Sequence, residues 1–166
     1  MKLRFLGSTV VQLAQDNGIP TTVDPKKRNF NNYSGTTLFK PNLKELREGL
    51  NLDIQPELDS LNGAVCSLRA DMDWGMALVT LSEKGAYICA EDFQGIMPAH
   101  VRTVSDVSGA GDTVISMASL CLALQLAPAH IATLSNLAGG QVVERVGVVP
   151  VNKEQLLTEA LQLTLA

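Results

Sequence analysis

The 166-residue chain lacks the marks of several large protein classes. It has no basic excess: 13 Lys and Arg against 17 Asp and Glu leave a formal charge of -4. That argues against nonspecific nucleic-acid binding, which needs a positive surface. No run of 18 or more uncharged apolar residues occurs, so nothing reads as a membrane span. The opening stretch "MKLRFLGSTVVQLAQDNG" has a basic start but only short apolar runs, and reads as an amphipathic helix rather than a signal peptide. Cysteine is sparse. Cys66, Cys89 and Cys121 are widely spaced in apolar settings without any CxxC, and are expected as buried, reduced thiols of a cytoplasmic protein. His100 and His130 are the only histidines, so no zinc site is expected. Trp74, the single tryptophan, follows "DMD" and reads as an aromatic packed on an edge. Neither GxxxxGK[ST] nor GxGxxG is present.

What is present fits one globular domain: 46% hydrophobic and 18% charged residues, enough for a substantial core. Helical spacing runs from about Arg4 to Gln15 and stops at Asn17-Gly18. "IPTTVD" (19–24) and "GTTLFK" (35–40) read as strands, and "PNLKELREGL" starts a helix at Pro41-Asn42. A further helix is expected over 56–71, then a buried strand "MALVT" (76–80) and "GAYICA" (85–90), which pairs with it or follows it. "IMPAHVRTV" (96–104) is expected as the last strand, followed by helices at about 112–125, 128–143 and 152–163. Strands alternating with helices imply a layered α/β sheet, largely parallel at its start, with ligands beyond the carboxyl ends of its strands.

The stretch "DVSGAGDTVISMASLCLALQ" (106–125) places two glycines and a carboxylate at the mouth of an apolar helix. A helix start offers free N–H groups and a partial positive charge, and glycine admits an anion close to the backbone. The helix has no polar face, so it is expected to be buried. Asp112 has two readings. As a helix cap it would stabilise by roughly 1 kcal/mol. As a catalytic base it would accept a hydroxyl proton while the loop holds a phosphoryl group.

"DVSGAGDT" resembles the signature of the ribokinase-like (PfkB) carbohydrate kinases. "VDPKKRNFNNYSGTTLFKPNLKEL" (23–46) is similar to the bacterial D-glycero-D-manno-heptose 7-phosphate kinases within that family, and "VTLSEKGAYI" (79–88) and "SNLAGGQVV" (135–143) continue the likeness in order. The resemblance implies a ribokinase-like three-layer α/β/α sandwich, truncated to its C-terminal nucleotide-binding portion. Residues 1–166 would form a single partial domain, lacking the sugar-binding half and its lid. The nucleotidyltransferase domain fused to some such kinases would be absent.

The resemblance also assigns residues, each beside a plainer reading. Asp112 would be the base, with the N–H groups of Gly109, Ala110 and Gly111 stabilising developing charge. Asn42 and Glu45 would organise Mg²⁺ through water; the same N-x-x-E pattern is a helix capping box, and both roles are compatible. Lys26 and Arg28 would contact phosphate, or form a solvated basic turn. Thr80, Ser82 and Gly85 would lie against the nucleotide, although "SEKG" makes a hairpin turn in any case. Asn136 would sit near the adenine, or be a polar residue on an apolar helix. Asp106 and the carbonyls near Gly147 match a loop that holds a monovalent cation such as K⁺ in many relatives, but "RVGVVPV" replaces the small polar residues often seen after that glycine.

The implied reaction moves the γ-phosphate of ATP to the anomeric hydroxyl of a heptose 7-phosphate, in the cytoplasm, with nucleotide and sugar phosphate as partners and neither nucleic acid nor membrane. Two alternatives remain: a noncatalytic kinase fragment that binds nucleotide only, and a kinase for another sugar such as ribose or fructose. The isolated chain is expected to be inactive. An open sheet edge at 19–24 and the apolar face of the first helix are expected to join two copies as a homodimer.

Overall fold

A computed structural model describes residues 2–100 and 102–164, with side chains over 6–100 and 102–163. Helix α1 (Lys2–Asp16) comes first, then strands β1 (Thr22–Val23) and β2 (Leu38–Phe39), helices α2 (Leu43–Leu50) and α3 (Leu58–Met72), and strands β3 (Met76–Thr80), β4 (Ala86–Cys89) and β5 (Gln94–Met97). Helices α4 (Ala110–Ala123), α5 (Pro128–Val142) and α6 (Lys153–Thr164) follow. The sheet order is β1-β2-β3-β4-β5. The first three strands are parallel, and β4 and β5 are each antiparallel to the strand before.

The first two strands are much shorter than the expected 19–24 and 35–40. Pro20, Pro25 and Pro41 flank them and cannot donate to a ladder. At their amino ends threonine hydroxyls replace backbone partners: Thr21 N–H donates to Thr37 Oγ1 at 3.0 Å, and Thr37 N–H to Thr21 Oγ1 at 3.2 Å. The expected strand at 96–104 is a correction, with its position 101 outside the described residues. The chain instead turns back at once after β4, with Ala90 N–H on Phe93 O at 2.7 Å, so β5 begins at Gln94 and Pro98 ends it. Residues 98–100 and 102–109 form neither helix nor strand, so irregular chain precedes the glycine loop.

Helices cover both faces of the sheet. Phe39, Ala77, Val79, Tyr87 and Cys89 pack with Leu46, Leu61, Val65 and Leu68 on one side. Leu38, Leu78, Ala86 and Ile88 pack with Val114, Ala118, Ile131 and Ala132 on the other. The alternation along β3 and β4 follows the two-residue period of a strand. Helices α4 and α5 approach closely because position 139 has no side chain: a Cβ there would lie 2.6 Å from Val114 Cγ2.

Three expectations fail on burial. Helix α4 is not enclosed: Val114, Ala118, Cys121 and Leu122 are buried, while Leu120 and, just past its end, Leu124 are 61% and 72% exposed. Its apolar outer face has no covering element among the described residues. Cys66 is exposed; Cys89 and Cys121 are buried as expected, and all three are free thiols. Trp74 is fully enclosed rather than at an edge, with the Arg69 guanidinium 5.7 Å from its ring centre. No helix among the described residues is long and apolar enough to cross a membrane.

Candidate functional site

The parallel strands deliver a group of charged residues to one end of the sheet. Asp24 follows β1, Lys40 follows β2, and Asn42 bridges to Thr80 at the end of β3. Asn42 caps α2: its Oδ1 accepts the Glu45 N–H at 2.8 Å, and Glu45 Oε2 accepts the Asn42 N–H at 2.9 Å. Both halves of the capping box are present, and the Glu45 carboxylate is fixed at the strand ends.

Lys26 reaches the remaining Glu45 oxygen, with Nζ 2.9 Å from Oε1, and lies 3.2 Å from Asp24 Oδ2. The other Asp24 oxygen faces Lys40 Nζ at 3.3 Å. Lys40 is 2% exposed, and a buried ammonium requires such a partner. Burial opposes the charged form of Lys26, but its bonds to Glu45 and Asp24 outweigh this and hold its pKa above the ordinary lysine value. Arg28 lies exposed on the 3-10 turn Lys27–Asn29 and joins none of these ion pairs. The sequence reading missed Asp24 and Lys40. The available signal was a lysine closing a buried strand directly before Pro41-Asn42.

A second group meets at Pro98. Asn136 Nδ2 donates to Pro98 O at 2.9 Å. Gly85, at φ +97, packs so closely on the same turn that a Cβ would collide with Met97 O. This close packing accounts for the glycine on structural grounds. Ser82 begins the 3-10 turn Ser82–Lys84 between β3 and β4, at φ 56, with its side chain exposed.

The glycine loop is the third group. Gly109, at φ 77, is the residue before α4, so Asp112 stands in the first turn and is not the cap. The Asp112 side chain is exposed and forms no hydrogen bond or ion pair among the described residues. Ala110 N–H is already donated to Val107 O at 3.2 Å, and Thr113 N–H to Gly109 O at 2.9 Å. The N–H groups of Gly109, Gly111 and Asp112 stay open to a ligand among the described residues. Asp106 braces the loop. Its Oδ2 accepts the Gly147 N–H at 2.9 Å, and its Oδ1 accepts the Ser108 N–H at 3.0 Å and Oγ–H at 2.8 Å. The Gly147 bond, then those from Ser108, hold this carboxyl below the ordinary aspartate value. Both oxygens are thus engaged in holding the loop.

Among the described residues no cluster of three or more His, Cys, Asp and Glu side chains could hold a metal by itself. Glu45 fits a different kind of site. Magnesium keeps most of its waters and takes one or two carboxylates, with substrate phosphates completing the set.

The family model described as pfkB family carbohydrate kinase matches residues 5–155. The bifunctional protein HldE of Koribacter versatilis is 41% identical over 149 residues, covering 90% of this chain and 30% of its own length. HldE of Campylobacter jejuni is 37% identical over 147 residues, covering 89% and 32%. Among solved structures, Escherichia coli phosphofructokinase-2 in complex with substrates and products superposes with a TM-score of 0.87 at 20% identity, over 99% of this chain and 53% of the other. Arabidopsis thaliana ribokinase complexed with ribose and ATP gives 0.78 at 16%, over 93% and 52%. These likenesses show a ribokinase-like α/β fold. The chain spans about half the length of the solved kinases and under a third of the first curated relative.

Proposed function

The chain belongs to the pfkB family of carbohydrate kinases, and on that premise we propose that it forms the nucleotide-binding and phosphoryl-transfer portion of an ATP-dependent kinase acting on heptose 7-phosphate. One observation carries the reading: the exposed Asp112 carboxylate stands beside the open N–H groups of Gly109, Gly111 and Asp112 at the start of α4. A base and an anion cradle are then adjacent on one rigid element.

In the proposed reaction the sugar hydroxyl oxygen bonds to the γ-phosphorus as the bond to the bridging oxygen of ADP breaks. Asp112 takes the hydroxyl proton. The open N–H groups face the charge on the transferring phosphoryl, and Ala110, whose N–H is engaged, acts only by shaping the loop. Lys26 neutralises phosphate charge from the strand ends. Bound Mg²⁺ would supply charge neutralisation across the phosphates, with Glu45 and Asn42 holding its waters. Thr80, Ser82, Gly85 and Asn136 would border the nucleotide. Arg28, exposed beside Lys26, would meet phosphate from the solvent side. We assign Asp106 to bracing the loop first, and K⁺ binding there is a secondary proposal.

The choice of a heptose rests on the HldE relatives, bifunctional proteins of which this chain covers a third or less. We assign the protein to the cytoplasm. The outer edge of β1, beside the exposed Leu6 and Val10 of α1, supports residues 1–166 being part of a larger domain. Such an edge would pair two copies of the 166-residue chain as a dimer. On this reading the chain alone binds nucleotide weakly and does not turn over.

Equilibrium dialysis with Mg-ADP, beside a coupled assay with ATP and heptose 7-phosphate, fructose 6-phosphate or ribose, tests the proposal. Saturable nucleotide binding without steady turnover is expected. Absence of binding at millimolar nucleotide would overturn the binding role, and Asp112-dependent turnover by this chain would overturn the inactivity.

A further inference from the structure

The Lys26 ammonium lies against the one Glu45 oxygen that the capping box leaves open. Glu45 has two oxygens. Oε2 is fixed by the Asn42 N–H at 2.9 Å, which leaves Oε1, and Lys26 Nζ holds Oε1 at 2.9 Å. The chain Lys40–Asp24–Lys26–Glu45 holds two ammonium and two carboxylate groups, so it carries no net charge. Its two lysines differ sharply in freedom. The Lys40 side chain is 2% exposed and fixed on Asp24, whereas that of Lys26 is 66% exposed on a flexible stem. One cation is built in and the other is free to leave.

This arrangement penalises either ligand arriving alone. A divalent cation by itself meets a carboxylate already neutralised and an ammonium within a few ångströms. A polyphosphate by itself meets a lysine engaged by two carboxylates. Arriving together they restore balance, because Lys26 exchanges Glu45 for a phosphate oxygen. We propose that Lys26 is an exchangeable counter-ion of Glu45, making divalent-cation and polyphosphate binding at this site mutually dependent. The inference rests on the reading that the site takes a metal–nucleotide pair, and adds the coupling between them. Linkage requires the effect to be reciprocal: each ligand tightens the other by the same factor. Asp24 and Lys40 are positioning residues here, since they fix the place from which Lys26 departs.

The test uses Mn²⁺ alone, without nucleotide, titrated into the full chain and followed by the electron paramagnetic resonance of the free ion. Wild type should bind it weakly. Lys26→Met should bind it about fivefold to tenfold tighter, the scale expected for removing one partly screened like charge. Lys26→Arg should return affinity to the wild-type level, and the double variant Lys26→Met, Glu45→Gln should lose the gain. Unchanged or weaker Mn²⁺ binding in Lys26→Met would overturn the exchange, as would a gain that survives Glu45→Gln. Wild-type ADP binding is measured in parallel. If ADP binds but Lys26→Met gains nothing, the exchange alone is wrong. If ADP fails to bind, the nucleotide reading is wrong, and the Mn²⁺ series still decides whether Lys26 is an exchangeable counter-ion.

Discussion

Asp106 Oδ2 accepts the Gly147 N–H at 2.9 Å across 41 residues of sequence, tying the entry of the glycine loop to the connection between α5 and α6. Gly109 leans on the same connection, since a Cβ there would lie 3.2 Å from Val148 Cγ1. The loop conformation is therefore set by a distant segment as well as by its own glycines.

That tie should respond to acid. The Asp106 carboxyl titrates below its ordinary value of 3.8 because of the Gly147 bond first and the Ser108 bonds next. A depressed carboxyl stabilises the folded loop above the ordinary value, and that contribution is lost as pH falls through the depressed one. The Gly147 and Ser108 amide resonances should hold their positions from neutrality down to about pH 4 and move below it. In Asp106→Asn that transition should be absent. Gly147 shifts that stay flat until global unfolding would show that the bond does not matter to the loop.

Gly85→Ala should cost stability heavily. The φ of +97° disfavours any side chain, and the added methyl would meet Met97 O and the Pro98–Ala99 peptide. Strain and overpacking each run to 1–3 kcal/mol, so a loss of at least about 2 kcal/mol is expected in urea unfolding. A loss under about 0.5 kcal/mol would mean that the turn relaxes easily.

Asn42 offers a separation of roles. Asn42→Ala removes the α2 cap and should cost about 1 kcal/mol, whereas Asn42→Ser keeps a capping oxygen and should lie within a few tenths of wild type. If Asn42 also holds the waters of a metal, the serine variant should still bind Mg-ADP more weakly. Wild-type Mg-ADP affinity in Asn42→Ser would reduce Asn42 to a cap.

Much of this was legible in the sequence, for physical reasons that differ by element. Helices α2 to α6 show in their periodicity, caps and breakers, and the Asn42–Glu45 capping box is local, so its spacing alone predicts it. The strands were harder. The β1–β2 pair depends on hydroxyls at Thr21 and Thr37, sixteen residues apart, which replace ladder bonds. The sequence misleads on β5 because "IMPAHVRTV" has strand-like composition, while the hairpin at Ala90–Phe93 and the stop at Pro98 decide where the strand lies. Lys40 is not legible in the sequence because burying a lysine depends on Asp24, which follows a different strand. The exposure of Leu120 and Leu124 could not be read from a helix that is apolar all round, since the pattern does not say what covers it.

In a kinase that carries these residues together with its sugar-binding remainder, Asp112→Asn should leave nucleotide affinity within about twofold. The same change should lower kcat at least ~100-fold, the scale of a lost general base. Equal losses in binding and turnover would instead assign Asp112 to holding the loop.

The central claim is that the strand ends and the glycine loop together form a nucleotide site. Its most direct test is a Mg-ADP titration of the 166-residue chain followed residue by residue in ¹H–¹⁵N correlation spectra. Saturable shifts are expected at Gly109, Gly111 and Asp112, with coordinated shifts at Lys26, Asn42 and Glu45, and little change in α3 or α6. Saturable binding that moves neither group, or no movement at millimolar Mg-ADP, would contradict it.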